Sequence, residues 1–366
     1  MRIFNVVAGH WKEKRGQGVV IAYDPHHSYN VDEMFEALAG ARRWYGEWFA
    51  PFPWKELRLS EFAGLADYAQ GSPGNITFSE SIGFLTRSKP EASAAFWVTA
   101  HEAAHQWWPN MAMSGEGPGA ELLSEGMAHF STILLCEQVK GPEQRMAFCR
   151  QIEHRYGDLR QADSERPLVK LNGELPGDGR IIYDKGGWAL WMLFRTLGRE
   201  TGLAAQRDYM ARYRNSQDHP VLQDYLAVMR EHAPDSTAFD AYVKQWFYSV
   251  VVPQYLVSDP AASKHDGSWV VTAKVKNVGT GTMPIEVAAA RGKRFPRKAD
   301  KAEPYLDARV TITLGAGEEK AVTIPCSFEP ERVVVDPDVL VLQLGRDKAS
   351  VPIKTKGQAA PLTAAR

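Results

Sequence analysis

The segment "VTAHEAAHQWWPN" (Val98–Asn110) places His101 and His105 four residues apart, with Glu102 directly after the first. A helix turns about 100° per residue, so side chains four apart nearly share a face. Two imidazoles on successive turns can offer ring nitrogens to one ion. Zinc suits that pair, because its catalytic sites combine imidazole ligands with one further protein ligand and leave a position open. Glu102 lies beside the same face, where it can accept a proton from water instead of binding metal. A buried alanine-rich core helix is the competing explanation. Chance alone would give H-E-x-x-H in about one or two chains per hundred of this histidine content. A core helix does not explain a glutamate and two histidines in one buried patch, where uncompensated charge is costly.

A third ligand must come from a nearby element. "GAELLSEGMAHF" carries Glu121 and Glu125 four apart on a second helical pattern, and "PNMAMSGEGPG" is long enough to reverse the chain between the two helices. Glu125 follows His105 by twenty residues, which suits a carboxylate third ligand; Glu121 is the competitor. His129 lies one turn beyond Glu125. It is either a residue that hydrogen-bonds a ligand or a simple packing or surface histidine.

The elements that must position these groups are legible in outline. The chain has 366 residues, more than one compact core normally holds, so two or three domains are expected. Hydrophobic residues make up 44% and charged residues 24%, ordinary for a globular protein. A net charge of −1 gives no whole-molecule field toward nucleic acid or lipid. The basic run "RGKRFPRKADK" (Arg291–Lys301) reads as a solvated loop, with an anionic contact as the alternative. Cys136, Cys149 and Cys326 form no C-x-x-C pair, so neither a disulfide framework nor a thiolate zinc site is indicated. No apolar stretch is long enough for a membrane span. The opening "MRIFNVVAGHWKEKRG" does not read as a signal peptide, because charge follows its short apolar part. Cytoplasm is the default compartment, with the extracytoplasmic part of a larger membrane protein as the alternative.

"FNVVAGHW" and "GVVIAYDP" read as strands joined by the charged turn "KEKRGQG". Residues 30–49 turn helical until "PFPW" stops them, and "ELRLSEF" and "NITFSESIGFL" read as further strands. A mixed sheet beside helices follows. Helical patterns then run near 92–108, 119–139, 143–161, 183–197, 203–213, 220–231 and 236–249. After about residue 252 the composition shifts to alternating valine: "WVVTAKVKNVG", "ARVTITLGAGEEKAVTIP" and "RVVVDPDVLVLQL". Short strands between Gly, Pro and Asp turns imply a β-sandwich. "KTKGQAAPLTAAR" reads as a disordered tail.

Three ordered motifs, "HEAAHQWW", "LLSEGMAHF" and "YDKGGWALWMLFRTLG", resemble the zinc aminopeptidases of the aminopeptidase N type, the gluzincins that include leukotriene A hydrolase. The likeness spans roughly residues 30–247 plus the sandwich. It is closest to a branch fused to ABC-transporter permeases, since most of the family places one residue fewer between the second His and the Glu. The resemblance implies an α+β chain: a thermolysin-like, mainly helical zinc metallopeptidase domain with a small mixed sheet (30–250), then a β-sandwich (251–353). Residues 1–29 would be remnant strands of an N-terminal β domain and 354–366 the tail.

The resemblance also implies one Zn2+ held by His101, His105 and Glu125, Glu102 as general base and Tyr183 as the donor to the oxyanion. "FSESIGFLTR" falls where the family carries Gly-Ala-Met-Glu-Asn. Glu80 would therefore bind the substrate's α-amine, with Gly83 in the same substrate-binding stretch, read as an extended edge strand. The surrounding residues depart from the motif: Thr77, Phe78 and Ser79 replace Gly-Ala-Met, and Ser81 replaces Asn. The acidic residue usually seven after the zinc Glu is here Thr132. The implied activity is removal of N-terminal residues from peptides. A zinc endopeptidase of the same fold is the rival, and a non-catalytic peptide-binding module on a membrane transporter component is the rival from another class.

Overall fold

The computed structural model describes residues 7–64, 66–89, 91–297 and 303–353, and the chain divides into two units, Met1–Val250 and Val251–Arg366. In the first unit, Lys12–Gly16 forms strand β1 and Val19–Tyr23 forms β2. The strand is thus "KEKRG" itself, where the sequence suggested a turn. The reversal is the two residues Gln17 and Gly18, both at positive φ (51° and 73°). An edge strand facing water tolerates a fully charged face. Its charges pair across the sheet, with Arg58 Nη1 donating to Glu13 Oε1 (2.9 Å) and Arg15 Nη1 to Glu56 Oε2 (2.9 Å). Strand β2 is buried at every residue, as expected of a strand covered on both faces.

Helix α1 (Val31–Trp48) buries Val31, Met34, Leu38, Ala41, Tyr45 and Trp48, a stripe at three-to-four spacing. Strands β3 (Leu57–Phe62), β4 (Ala69–Ser72) and β5 (Asn75–Ser79) complete a five-stranded sheet in the order β1-β2-β3-β5-β4. The pairs β2–β3 and β3–β5 are parallel, whereas β1–β2 and β4–β5 are antiparallel. The hairpin within residues 1–29 is therefore one side of this unit's own sheet. The other edge strand is β4; β5, within the stretch read as an edge, lies inside the sheet. The chain after β5 turns at once into a single helical turn, α2 (Glu80–Gly83).

Helix α3 (Ala94–Ala104) starts at Ser93, whose Oγ accepts from Phe96 N–H at 3.2 Å. It packs on α1, where Tyr45 Oη donates to the Ala100 carbonyl (3.2 Å). Helix α4 (Glu125–Leu135) follows a 3-10 turn at Ala120–Leu123, and both α3 and α4 are buried on nearly every face. Helix α5 (Pro142–Leu159) and the short α6 (Asp178–Arg180) lead into a π-helical turn, Ile181–Gly186, that continues as α7 (Gly187–Leu197). Three more helices, Arg199–Tyr213, Leu222–Glu231 and Ser236–Trp246, complete the unit.

In the second unit every strand pairing among the described residues is antiparallel. One sheet has three strands, Tyr255–His265, Ser268–Asn277 and Glu319–Cys326. The other has four: Met283–Arg291, Leu306–Leu314, Arg332–Val335 and Ser350–Pro352. Burial alternates along Ser268–Asn277 and Glu319–Cys326, as sandwich strands require. "VLVLQL", which the valine pattern suggested as strand, is buried irregular chain instead, and Arg346 Nη2 donates to the Val341 carbonyl there (2.7 Å). Part of the basic run and the whole C-terminal tail lie outside the described residues.

Candidate metal centre and active site

Helices α3 and α4 bring their polar groups to one point. His101 Nε2 is 3.1 Å and His105 Nε2 is 3.4 Å from the same oxygen, Glu125 Oε2. The imidazoles stand edge to face, 4.8 Å between centroids. His105 Nδ1 lies 2.7 Å from the Trp108 carbonyl. A carbonyl only accepts, so a proton sits on Nδ1, and Nε2 is the nitrogen left to give up its own proton from Glu125 and offer a lone pair to a cation. Two imidazole nitrogens and a carboxylate oxygen on one centre match the donor set of a catalytic zinc site. Glu125 occupies the first turn of α4, where the positive end of the helix favours its charge. Glu121 sits in the preceding 3-10 turn, exposed, and does not meet the imidazoles.

An oxygen of Glu102 also lies within 4.8 Å of the two histidines' ligand atoms. What separates it from Glu125 is its partner: the Gly71 N–H on β4 donates to its carboxylate. Burial pushes Glu102 up to about 7, with Glu125 adding to the rise and His105 opposing it. A carboxylate held there is suited to taking and returning a proton near neutral pH. Burial also pushes His101 down to about 3. In Glu125, burial works against the charge, but the hydrogen-bonding imidazoles hold its carboxyl far below the usual range.

Tyr183 completes the cluster. The π turn points its ring onto His101, stacked at 5.6 Å and 16°, and its hydroxyl hydrogen-bonds Glu125. Burial, then the Glu125 charge, keeps that hydroxyl protonated far above the ordinary phenol range. π turns of this sort are frequent at functional sites. Lys185, from the same "YDKGG", points away into a buried ion pair with Glu165 (2.6 Å), which also accepts from Tyr156 Oη (2.8 Å).

Glu80 and Gly83 are elsewhere. Glu80 belongs to a second group with His27 and Glu61. His27 Nδ1 bridges Glu61 Oε1 (3.0 Å) and Glu80 Oε2 (3.3 Å), and Gly64 N–H donates to Glu80 Oε1 (2.8 Å). Gly83 is packed inside: its carbonyl accepts from Asn30 Nδ2 (2.6 Å), and a Cβ there would meet Met34 Sδ at 2.7 Å. The strand beside the metal helix is β4.

Gly71 on that strand carried no expectation from the sequence. Its N–H holds Glu102, and its carbonyl accepts from Asn110 Nδ2 at 3.0 Å. A Cβ would overlap the Glu102 carbonyl oxygen and sit 2.8 Å from His105 Cβ. The only signal was a glycine opening the turn-rich "GSPGN". Gly71→Ala is expected to destabilise the protein by about 1–3 kcal/mol through overpacking against backbone that cannot yield. Urea unfolding of the metal-free protein checks it; an unchanged midpoint would show that α3 and β4 are not pressed together.

The unit thus sets a mixed sheet beside a buried H-E-x-x-H helix, a downstream glutamate on a second helix and a facing tyrosine. Comparison with known proteins gives it relatives. No family model matches the chain. Aminopeptidase M1-B of Oryza sativa subsp. japonica is 26% identical over 298 residues, covering 75% of this chain and 32% of that protein. The chain thus spans about a third of the length of the curated relative it matches. Among solved structures, the aminopeptidase A of Legionella pneumophila in complex with aspartic acid superposes with a TM-score of 0.54 at 16% identity, over 89% of this chain and 36% of that one. An M1 zinc metallopeptidase of Deinococcus radiodurans gives 0.48 at 19% identity, over 63% and 47%. The chain is similar in sequence to an M1 aminopeptidase, and its α+β fold is one that aminopeptidases use.

Proposed function

We propose that this chain carries the active site of a zinc-dependent aminopeptidase. The observation behind this reading is the meeting of His101, His105 and Glu125 beside Glu102 and Tyr183. One zinc ion would be held by the first three residues and would supply Lewis acidity, polarising a carbonyl and making water more acidic. Glu102, held by the Gly71 N–H, takes a proton from the attacking water and passes it to the departing amine. The Tyr183 hydroxyl, kept protonated, donates to the oxyanion that forms as the carbonyl becomes tetrahedral.

A second reading, a zinc endopeptidase of the same fold, is favoured by one observation. Glu80, proposed to grip the substrate's free amine, is tied to His27 and Gly64. The test is a matched pair of peptides, one with a free N-terminus and one N-acetylated, assayed with zinc and with a chelator. The aminopeptidase reading expects cleavage of the free peptide alone, abolished by chelation. Equal cleavage of both supports the endopeptidase. No metal-dependent cleavage of any peptide would leave the non-catalytic peptide-binding module, for which association with a transporter component is the matching proposal. No helix among the described residues is long and apolar enough to cross a membrane.

A further inference from the structure

The far side of His101 holds a second histidine. Its Nε2 faces Glu125, and its Nδ1 lies 2.9 Å from His129 Nδ1. Two ring nitrogens at that distance share one proton: one donates and the other accepts. The metal chemistry of His101 therefore depends on which ring holds it. The far nitrogen of His129, Nε2, lies 3.5 Å from Asp184 Oδ1. Asp184 is wholly buried, and Arg155 Nε donates to its Oδ2 at 2.9 Å while Arg155 Nη2 donates to Oδ1.

We infer that His129, backed by Asp184, is the positioning residue that sets His101 for metal binding. A carboxylate only accepts, so Asp184 favours a proton on His129 Nε2. His129 Nδ1 is then a lone pair that accepts from His101 Nδ1–H, and His101 Nε2 is left bare toward the cation. Arg155 Nη2 opposes this arrangement. It lies 3.0 Å from His129 Nε2 and can only donate, which favours the reverse: His129 Nδ1–H toward His101, and His101 Nε2–H toward Glu125. Each ring carries one proton in both arrangements, so the choice is of tautomer alone. A cation bound by Nε2 requires the first. The contact between His129 and Arg155 is the one that must give way, since Arg155 keeps Asp184 as its partner.

The surroundings fit a positioning role. His129 is 6% exposed and meets only the far nitrogen of His101, so it cannot be a further ligand to the same ion. Its ring stands edge-on to Tyr183 (5.3 Å) and beside Phe148 (5.5 Å). Gly187 on α7 lets this happen, because a Cβ there would overlap the Cβ of His129. Thr132, seven residues after Glu125, donates to its own helix at the Ala128 carbonyl (2.9 Å). His105 needs no such device, since the Trp108 carbonyl already fixes its tautomer.

The inference rests on the metal reading, and the test separates the two. Zinc affinity is measured by chelator competition for the wild-type chain, His129→Phe, which keeps a ring but no acceptor, and His129→Gln, which restores an acceptor oxygen. The expected result is one tight zinc in wild type, affinity weakened about 10- to 100-fold in the Phe variant, and partial recovery in the Gln variant. Side-chain nitrogen NMR of the zinc-loaded wild type gives a readout independent of how the variants fold. It is expected to show His101 protonated at Nδ1 and His129 protonated at Nε2 only. Absence of zinc from the wild type overturns the metal reading itself. A wild type that binds zinc while the Phe variant binds it equally well, or a proton on His129 Nδ1 in the loaded protein, overturns the role of His129 alone.

Discussion

Glu102→Gln is expected to remove peptide hydrolysis and leave the metal in place. Glutamine is nearly isosteric, and its amide oxygen can still accept from the Gly71 N–H, so β4 and α3 keep their contact. His101, His105 and Glu125 are unchanged, so one zinc per chain should remain. What is lost is a basic oxygen that takes a proton from water and returns it to the amine. General acid–base groups contribute about 10²–10⁴ in rate, and kcat should fall by that factor with little change in KM. Metal analysis and steady-state kinetics on the same preparation check both halves. A variant that keeps full turnover, or one that loses zinc, would remove Glu102 from the role of base.

Tyr183→Phe is expected to have the second-largest effect. The ring stacked on His101 stays, and with it the edge contact to His129; only the hydroxyl goes. If that hydroxyl donates to the oxyanion, kcat should fall about 10²–10³-fold, as when one donor of an oxyanion hole is removed, with KM nearly unchanged. If Tyr183 were only a packing residue, the variant would keep kcat. Thermal unfolding of the two proteins separates this from damage to the fold, since no buried contact other than the one to Glu125 is lost.

How much of this was legible in the sequence differed from element to element, for physical reasons. The spacing of His101 and His105 on a helix is a local property, and α3 forms over Ala94–Ala104 within the segment its pattern marked. The turn of Glu125 toward the imidazoles needed only a reversing loop and a second helix. Strand β1 was misplaced because an exposed edge strand can be entirely charged, so "KEKRG" carries no apolar alternation. The strand Met283–Arg291 escaped notice for the opposite reason. Its "VAAA" is small-residue chain buried between close neighbours, without the valine alternation of the strands around it. Which strand flanks α3 is a matter of pairing between distant segments: β4 with Gly71 lies against it, whereas Glu80 lies with His27 and Glu61. His129 stood undecided between packing and hydrogen bonding until the position of the His101 ring was known. Asp184 and Arg155 lie 29 residues apart and gave no joint signal.

The most direct measurement of the central claim is anomalous diffraction at the zinc edge from crystals grown with the metal. The account expects a single peak bound by Nε2 of His101, Nε2 of His105 and a carboxylate oxygen of Glu125, with Glu102 nearby and unbound. A peak instead at the His27–Glu61–Glu80 group, or none at the three proposed ligands, would contradict it.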